Sequence, residues 1–515
     1  MQSPHRGPGL RTRAALAAVV VVSTVMWTGG AAIGAPVEGA PRTEGAPPAD
    51  AAAACQVGGA IPADAIAGED TLWRWTRRMA GYNFRHTGSE KHTRYLALVE
   101  RQLTSYGLDV TRYPTPLAYW KATSWSLRVK DASGRRHDLP VAWYRPYSGQ
   151  TPPAGVTGGA VDVGAGGAAD YEGTDVRGKV VVADLRIPPF TAGGLAPLTL
   201  FAKDPAPATE DYSRIPFQGE APDLELAKQH GAVAMVNIID RTPAEARGQF
   251  YPHQQVQAGL PAVHLDRVQG ARLRTLMAAG PVTATVVLTA VTKATTVDYL
   301  SAELPGSGAL PGAIMVLTHT DGQNAVEENG VPAVLAMAEY FTQVPPECRP
   351  RDIIFLLSGV HMASHRDAVH SDVFLRQHPE ITSRVKAALA PEHLGAMTWT
   401  EDRATGVYGP TGLSELALVP VGNSRSLVRL AIDALGASDL SRTYVLAPFN
   451  GLFGEGTGPY RLGIPTIGFI SGPTYLVQVA PNANLDKLDK TLMHRQTLFL
   501  TRMLSSVLAA PAVTP

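Results

Sequence analysis

From residue 297 onward, short continuous apolar runs alternate with stretches of helical periodicity, and this alternation constrains the fold most. The apolar runs are AIMVLTHTD, IIFLLSGV, VKAALAPEHLG and GIPTIGFISG. The helical patterns are NGVPAVLAMAEYFTQV, a segment near 364–377, SRSLVRLAIDAL and LDKLDKTLMHRQTLFLTRMLSSVL. Apolar strands separated by helices are typical of a parallel sheet covered on both faces. The sequence therefore predicts an α/β fold with a mostly parallel, doubly wound sheet.

Polar residues suited to metal binding follow these apolar runs where each strand ends. His319 closes the first strand, His361 follows the second and Glu392 follows the third. In open α/β sheets, ligands gather at the carboxyl ends of the strands. We therefore expect these side chains to share one site.

The segment VLTHTDGQNAVEENG adds further candidates to that site. A catalytic zinc takes three histidine or carboxylate ligands plus water, and His319, Glu328 and Glu392 offer such a set. Asp321 is spaced to orient the His319 imidazole from behind. The spacing alone leaves a second interpretation open, in which the segment is a polar loop with solvated charges.

The N-terminus carries the features of an export signal. Three arginines precede an apolar run from Ala14 to Met26, and the small residues GGAAIGA follow it. This pattern predicts a signal peptide over 1–35, cleaved near Ala35, and a secreted mature protein. The Ala/Pro/Gly-rich residues 36–60 are typical of a flexible linker. The apolar run is too short for a comfortable membrane span, although an uncleaved anchor stays an alternative.

Composition limits the classes of partner and of metal site. Lysine plus arginine equal aspartate plus glutamate at 45 each, so neither nucleic acid nor an acidic membrane surface is an expected partner. Two cysteines, Cys55 and Cys348, are too few for a cysteine-rich zinc site, and export permits a disulfide between them. Any metal must be held by histidine and carboxylate.

The pattern of apolar residues and glycine turns predicts three segments after the linker. Residues 61–150 contain two amphipathic helical patterns around the turn RHTGSE. Residues 151–292 carry short strands with glycine turns, which indicates a compact α/β insert with its own core. Residues 293–510 carry the alternating strands and helices described above.

Some conspicuous residues are better explained by packing than by chemistry. Trp73, Trp75 and Tyr95 sit at helical spacing, which favours the core over a substrate platform. The single histidines of the insert have no ligand spacing and are interpreted as structural or surface residues. They include His230, His253 and His264.

Several segments resemble secreted zinc aminopeptidases of the M28 peptidase family that carry a protease-associated domain insert, over most of residues 69–505. In that family a strand ends in His-x-Asp and Asp-Asn-Gly opens a helix, and HTD at 319–321 and ENG at 328–330 fit these positions. APEH at 390–393 matches the family's Asn-Leu-Asp-Met, with Glu392 at the ligand position. DVRGKVVVAD, KQHGAVAMV and GLPAVHLD resemble the protease-associated domain.

The resemblance implies a peptidase fold, a peptide substrate and a zinc centre that includes His319, Glu328 and Glu392. The family's next strand ends in a Glu-Glu pair, the catalytic base and a second-metal ligand, where this chain has Val360 and His361. TYLVQVAP also lacks the histidine expected as the last ligand. We therefore expect one zinc rather than two, and a proton acceptor other than valine.

Three groups are candidates for that proton transfer: Glu327, His361 and His393. Glu327 also suits a charge at a helix N-terminus, where it interacts favourably with the helix dipole. His393 equally suits a capping or packing role. Glu455 lies in GEGTG, where the family has an aspartate, and fits either the cleft wall or a structural loop.

Together these observations predict a secreted, divergent, zinc-dependent hydrolase of aminopeptidase type, in which metal-activated water attacks a peptide bond. One alternative is a non-catalytic relative that keeps the fold as a binding module. Another places the metal on His361 and His365, whose spacing of four residues suits one helical face.

Overall fold

The computed structural model describes Cys55 and residues 60–250, 257–364, 366, 368–448 and 451–513. The predicted signal peptide and nearly all of the predicted linker lie outside the described residues, and so do His253 and His365. Those interpretations stay predictions.

The described residues form seventeen strands, numbered in chain order. They are β1 (Val110–Lys130), β2 (Arg136–Leu139), β3 (Trp143–Tyr144), β4 (Val156–Asp162), β5 (Val180–Leu185), β6 (Thr199–Lys203), β7 (Ala234–Ile239), β8 (Ala262–Leu265), β9 (Thr283–Leu304), β10 (Ala313–His319), β11 (Asp352–Ser358), β12 (Val385–Pro391), β13 (Met397–Asp402), β14 (Val407–Ser414), β15 (Ala417–Gly422), β16 (Thr443–Leu446) and β17 (Thr466–Ser471).

The α-helical segments are α1 (Glu69–Ala80), α2 (Glu90–Ser105), α3 (Ala168–Tyr171), α4 (Ile215–Gln218), α5 (Leu224–Gln229), α6 (Pro243–Ala246), α7 (Arg267–Ala278), α8 (Gly330–Gln343), α9 (Ser371–Gln377), α10 (Pro379–Thr382), α11 (Arg425–Ala437), α12 (Thr457–Arg461) and α13 (Lys490–Ala509). Short 3₁₀ turns cover Ala63–Ala65, Ala192–Leu198, Pro346–Cys348, Gly454–Gly456 and Leu485–Lys487.

One large sheet carries most of the strands, in the order β3-β8-β7-β5-β4-β9-β11-β10-β12-β17-β15-β16-β6. Strands β11, β10, β12 and β17 are parallel neighbours, and so are β4, β5, β7 and β8. Antiparallel pairs join these groups through β9 and extend the sheet beyond β17. The predicted α/β class with a mostly parallel core is therefore confirmed.

A long antiparallel ribbon connects the two parallel groups. It consists of β1 and β9, which pair along nearly their whole lengths with one irregularity between Ala122 and Ser124. The first part of β9 pairs with β4 of the segment predicted as an insert, and its last part pairs with β11. The strand thus belongs to both groups, while the predicted domain boundaries stay a prediction.

The principal apolar core surrounds β10 and β11. All residues of β10 are buried, and in β11 only Asp352 is partly exposed. Apolar side chains of α1, α2, α8 and α13 belong to the same contiguous cluster as these strands. Strands buried on both faces read as continuous apolar runs, which is why the sequence located them.

Two helices form where the sequence predicted them between residues 69 and 110. Ser89 caps the second by accepting a hydrogen bond from the backbone N–H of His92. Tyr95 is buried, and Trp75 packs half-buried against the core. Trp73 is also half-buried.

Cys55 and Cys348 form a disulfide with Cα atoms 5.3 Å apart, which settles a pairing that the sequence left open. Within the part of the chain that the structure describes, no helix is both long and apolar enough to cross a lipid bilayer.

Candidate metal centre

His319 is the last residue of β10 and is fully buried. Its Nδ1 lies 2.8 Å from the backbone carbonyl oxygen of Asp321 and donates to it, which leaves the lone pair on Nε2. Among the described residues, Nε2 has no hydrogen-bond partner. Burial by itself lowers the pKa of His319, but the carboxylates of Asp321 and Glu392 outweigh it and raise the pKa to about 9. A positive charge is therefore favoured at this nitrogen.

The carboxylate of Asp321 ties the ends of β10 and β11 together. Oδ1 accepts from the backbone N–H of His361 at 3.1 Å, and Oδ2 accepts from that of Met362 at 2.9 Å. The hydroxyl of Thr87 also donates to Oδ2. Oδ1 lies 3.6 Å from Nδ1 of His319, so Asp321 supports the imidazole mainly through its main-chain carbonyl.

Glu327 is held in the loop before α8 by the side chain of Asn324. Asn324 Oδ1 accepts the backbone N–H groups of Val326 and Glu327, at 2.9 and 3.1 Å. Its amide donates to three carbonyls of the segment 475–478, which fixes the loop. Burial raises the pKa of Glu327 to about 8, and its Oε2 lacks a hydrogen-bond partner in the described structure.

His393 adopts a left-handed backbone conformation, with φ of 57°. Its Nδ1 lies 2.7 Å from the carbonyl oxygen of Ser471, at the end of β17, and donates to it. Nε2 is therefore the lone-pair nitrogen, and it lies 3.5 Å from Oε2 of Glu327. This conformation turns His393 back toward the ends of β10 and β12.

One ligand atom each from His319, Glu327 and His393 lies within 4.8 Å of the other two. Ligands about 2.0–2.2 Å from a tetrahedral zinc are about 3.4 Å apart, so small side-chain shifts would close the set around one ion. Two imidazole nitrogens and one carboxylate oxygen form a donor set that suits zinc. The residues present therefore fit a single zinc ion.

Glu392 lies beside this group and is clamped by the loop after β16. Its Oε1 accepts the backbone N–H of Glu455 at 2.7 Å, and its Oε2 lies 3.9 Å from Nε2 of His393. Gly454 has φ of +48°, and a Cβ there would collide with Oε2 of Glu392. Among described residues, Oε2 has no hydrogen-bond partner, and burial raises the pKa of this carboxyl.

Glu328 is directed elsewhere. Its carboxylate contacts the guanidinium of Arg85, and both side chains are completely buried. Gly322 leaves room for the carboxylate, since a Cβ there would collide with Oε2 of Glu328. The structure thus brings His319 together with two residues first considered for proton transfer. It does not place Glu328 or Glu392 in that group, and the predicted ligand set stays a prediction.

His361 follows β11 and lies next to the candidate ligands. Its Nδ1 is 3.1 Å from Oε1 of Glu455, and its ring centroid is 4.2 Å from that of His319. Val360 is fully buried in the apolar core. Of the two candidates the sequence offered for Glu455, the structure favours the cleft wall, because Glu455 lines the cavity described next.

A cavity of about 310 Å³ opens beside these residues. Its polar lining includes Glu327, His361, His393, Asp372 and Glu455, and its apolar lining includes Pro216, Phe217, Phe453, Ile470 and Leu476. A larger groove of about 820 Å³ lies between α11 and α13 and contains none of the candidate site residues. Candidate site residues therefore line the smaller cavity and not the larger groove.

Sequence reasoning missed Arg85 and the ligand position of His393. The turn RHTGSE carried no spacing signal for a partner in a loop so far along the chain. The conformation of His393 likewise has no signature in APEH. The isolated histidines lie apart from the site: His230 is exposed against Tyr171, and His264 is buried within β8.

No family model matches the sequence, and no curated protein matches it. Solved structures do match in fold. An aminopeptidase from an Aneurinibacillus species is 17% identical, with a TM-score of 0.57, over 86% of this chain and 95% of that chain. The zinc aminopeptidase BSAP from Bacillus subtilis is 15% identical, with a TM-score of 0.58, over 85% and 95%.

An M28 peptidase precursor from Shewanella amazonensis is 16% identical, with a TM-score of 0.59, over 87% of this chain and 99% of that chain. These likenesses extend over most of the chain. The chain resembles zinc aminopeptidases of the M28 type and has their fold.

Proposed function

We propose that this protein is a secreted hydrolase of aminopeptidase type that binds one zinc ion and cleaves a peptide bond. The observation that carries the proposal is the convergence of His319, Glu327 and His393 at the carboxyl ends of the central strands, beside a cavity. Ligand sites of open α/β sheets lie at these ends. The zinc ligands we propose share only His319 with the set predicted from the sequence.

A bound zinc supplies a Lewis acid and lowers the pKa of a water molecule. His319, Glu327 and His393 would hold the ion, with Glu392 adjacent as a further carboxylate. Hydrogen bonds from Nδ1 of each histidine to a backbone carbonyl orient the ring and leave Nε2 as the nitrogen that would bind the ion.

The pair formed by His361 and Glu455 is our candidate for proton transfer. The Glu455 carboxylate holds Nδ1 of His361 at 3.1 Å and so orients the imidazole in the site. Both residues line the cavity. A positioned imidazole typically contributes about 10²–10⁴-fold to a rate, which would offset the valine at position 360.

The cavity suits a peptide end that combines a positive charge with an apolar side chain. Asp372 and Glu455 contribute carboxylates to the lining, beside the guanidinium of Arg461. This balance favours a free ammonium group over a free carboxylate. Phe217 and Phe453, with ring centroids 5.2 Å apart, form an apolar wall on which a side chain can pack.

Secretion and the insert belong to the same proposal. The N-terminal pattern predicts export, and the disulfide between Cys55 and Cys348 suits an oxidising compartment. Residues 151–292 would form a protease-associated insert. Phe217 of this segment lines the cavity, which supports a role for the insert in substrate contact.

A binding module without catalysis is the second candidate, and Val360 favours it. Valine accepts no proton, and this side chain lies in the core rather than in the cavity. Such a protein would keep the fold and the cleft and would bind peptides without cleaving them.

Elemental analysis combined with an aminoacyl-anilide assay tests the proposal. We expect one equivalent of zinc and anilide release that a chelator abolishes and added zinc restores. His319→Gln should lose both, whereas His230→Gln, at an exposed histidine outside the site, should keep both. Bound zinc without release from any of a panel of aminoacyl anilides would favour the binding module. Folded protein that takes up no zinc would contradict the zinc centre.

A further inference from the structure

Arg85 is a cation enclosed in the protein interior. It lies in the turn between α1 and α2, and its backbone pairs with that of Gly322, three residues after the end of β10. The side chain has no exposed surface. Burial lowers the pKa of Arg85 to about 10, so the guanidinium remains charged at neutral pH.

Three backbone carbonyls accept hydrogen bonds from this guanidinium. Nη1 donates to Met79 at 2.9 Å and also to Asn83, while Nη2 donates to Asn324 at 2.6 Å. The first two carbonyls belong to the end of α1 and the following turn, and the third belongs to the loop that carries Glu327 and Glu328. Arg85 is therefore fixed from both sides and cannot withdraw without breaking these hydrogen bonds.

Glu328 is the carboxylate that neutralises this cation. Nη2 of Arg85 contacts Oε1 of Glu328, and both side chains are fully buried. Removing one partner of a buried ion pair leaves an uncompensated charge, which is strongly destabilising. Glu328 can therefore join a metal ion only if Arg85 loses its counter-ion.

Glu327, the preceding residue, is arranged in the opposite way. Its Oε2 lies 3.5 Å from Nε2 of His393, and one of its carboxylate oxygens is within 4.8 Å of a ring nitrogen of His319. The two adjacent glutamates thus lie in different surroundings, Glu328 against Arg85 and Glu327 beside two histidines.

We propose that Arg85 is an internal counter-ion that keeps Glu328 in an ion pair and so limits the centre to one divalent ion. Glu327 is then the carboxylate ligand of that ion. This inference rests on the proposed function, since it assigns residues to the same zinc centre. It goes further by giving the two neighbouring glutamates different roles and by assigning a reason for a single ion.

The isosteric variants Glu327→Gln and Glu328→Gln test the assignment, with zinc content and competition against a chromophoric chelator as readouts. Loss of a group that only supports a ligand typically costs about 10–100-fold in metal affinity. We expect Glu327→Gln, which removes a ligand, to weaken zinc binding by more than about 100-fold. Glu328→Gln should keep one equivalent, with affinity within about threefold of wild type. Equal losses in the two variants, or two equivalents in the wild type, would overturn the proposal.

A double-mutant cycle on the metal-free protein tests the ion pair separately. Arg85→Met and Glu328→Gln should each lower the midpoint of denaturant unfolding, and the double variant should lose less than the sum of the two. Additive losses would overturn the pairing. Wild-type protein without zinc would remove the proposed function and the one-ion limit, while strong coupling in the cycle would still establish Arg85 as the partner of Glu328. The two failures are thus distinguishable.

Discussion

Nε2 of His393 lies 3.5 Å from Oε2 of Glu327, although the two residues follow different strands of the sheet. The contact depends on a left-handed backbone at His393 and on the hydrogen bond from its Nδ1 to the carbonyl of Ser471. Asparagine adopts the left-handed conformation more readily than most residues that have a side chain. Alanine adopts it only at an energetic cost.

We therefore expect His393→Asn to lose zinc while keeping nearly wild-type stability in the metal-free state. His393→Ala should lose zinc and also be destabilised, by about 1–2 kcal/mol, because of its backbone. Elemental analysis and denaturant unfolding in the presence of chelator measure the two effects. Full zinc occupancy in both variants would exclude His393 as a ligand.

Gly454→Ala should disturb Glu392 as well as the backbone. The residue has φ of +48°, and a new Cβ would collide with Oε2 of Glu392. Gly463→Ala is the matched control, since Gly463 also has positive φ, at +80°, but has no heavy atom within 4 Å of the added Cβ. Both variants carry backbone strain of about 1 kcal/mol, and we expect only Gly454→Ala to reduce zinc affinity and turnover. Parallel effects would show that the position of Glu392 is unimportant.

Phe217→Ala should weaken the preference of the proposed enzyme for substrates with an apolar side chain. Phe217 and Phe453 form a wall of the cavity, and Gly472 leaves space for the Phe217 ring. Loss of the ring should reduce kcat/KM for a leucyl anilide about tenfold or more relative to a glycyl anilide, because a buried aliphatic contact is worth about 1–3 kcal/mol. Phe190→Ala removes a ring from the same apolar cluster outside the cavity lining and should leave the ratio unchanged. A ratio that shifts equally in both variants would contradict the assignment.

Lys487 should make stability rise with pH in mildly alkaline solution. Its ammonium lies 4.8 Å from the ring centroid of Tyr475 and 4.9 Å from that of Trp399, and Nζ donates to Gln478 at 3.1 Å. Burial lowers the pKa of Lys487 from 10.5 to about 8. Between these values the unfolded chain holds the proton and the folded chain does not, so unfolding becomes less favourable as pH rises.

The difference in unfolding free energy between wild type and Lys487→Met should therefore change by up to about 3 kcal/mol from pH 8 to pH 10.5, in favour of the wild type. Urea unfolding at several pH values measures it. A difference that stays constant over this range would show that Lys487 keeps its proton in the fold.

The strand ends that build the site could be predicted, because β10, β11 and β12 are buried on both faces and therefore stand out as apolar runs. The histidine that ends β10 and the carboxylate after β12 could be placed by the same reasoning. Which of Glu327 and Glu328 lies beside His319 and His393 could not be predicted. Adjacent residues in an irregular turn point in different directions, and the choice depends on Arg85, which is distant in sequence.

The segment predicted as an insert posed a different difficulty. Its strands could be recognised from their glycine turns, but the contribution of Phe217 to the cavity depends on how two segments pack together. No local pattern encodes that contact. The pairing of Cys55 with Cys348 also depends on tertiary structure, and the predicted export only permitted it.

Strand β9 is continuous through both parallel groups of the sheet, so it joins the segment predicted as an insert directly to the strands that carry the candidate metal centre. Any rotation of one part relative to the other would have to bend or twist the β1–β9 ribbon, whose ladder is interrupted between Ala122 and Ser124. Such a rotation would deform a paired backbone instead of turning on a single flexible connection.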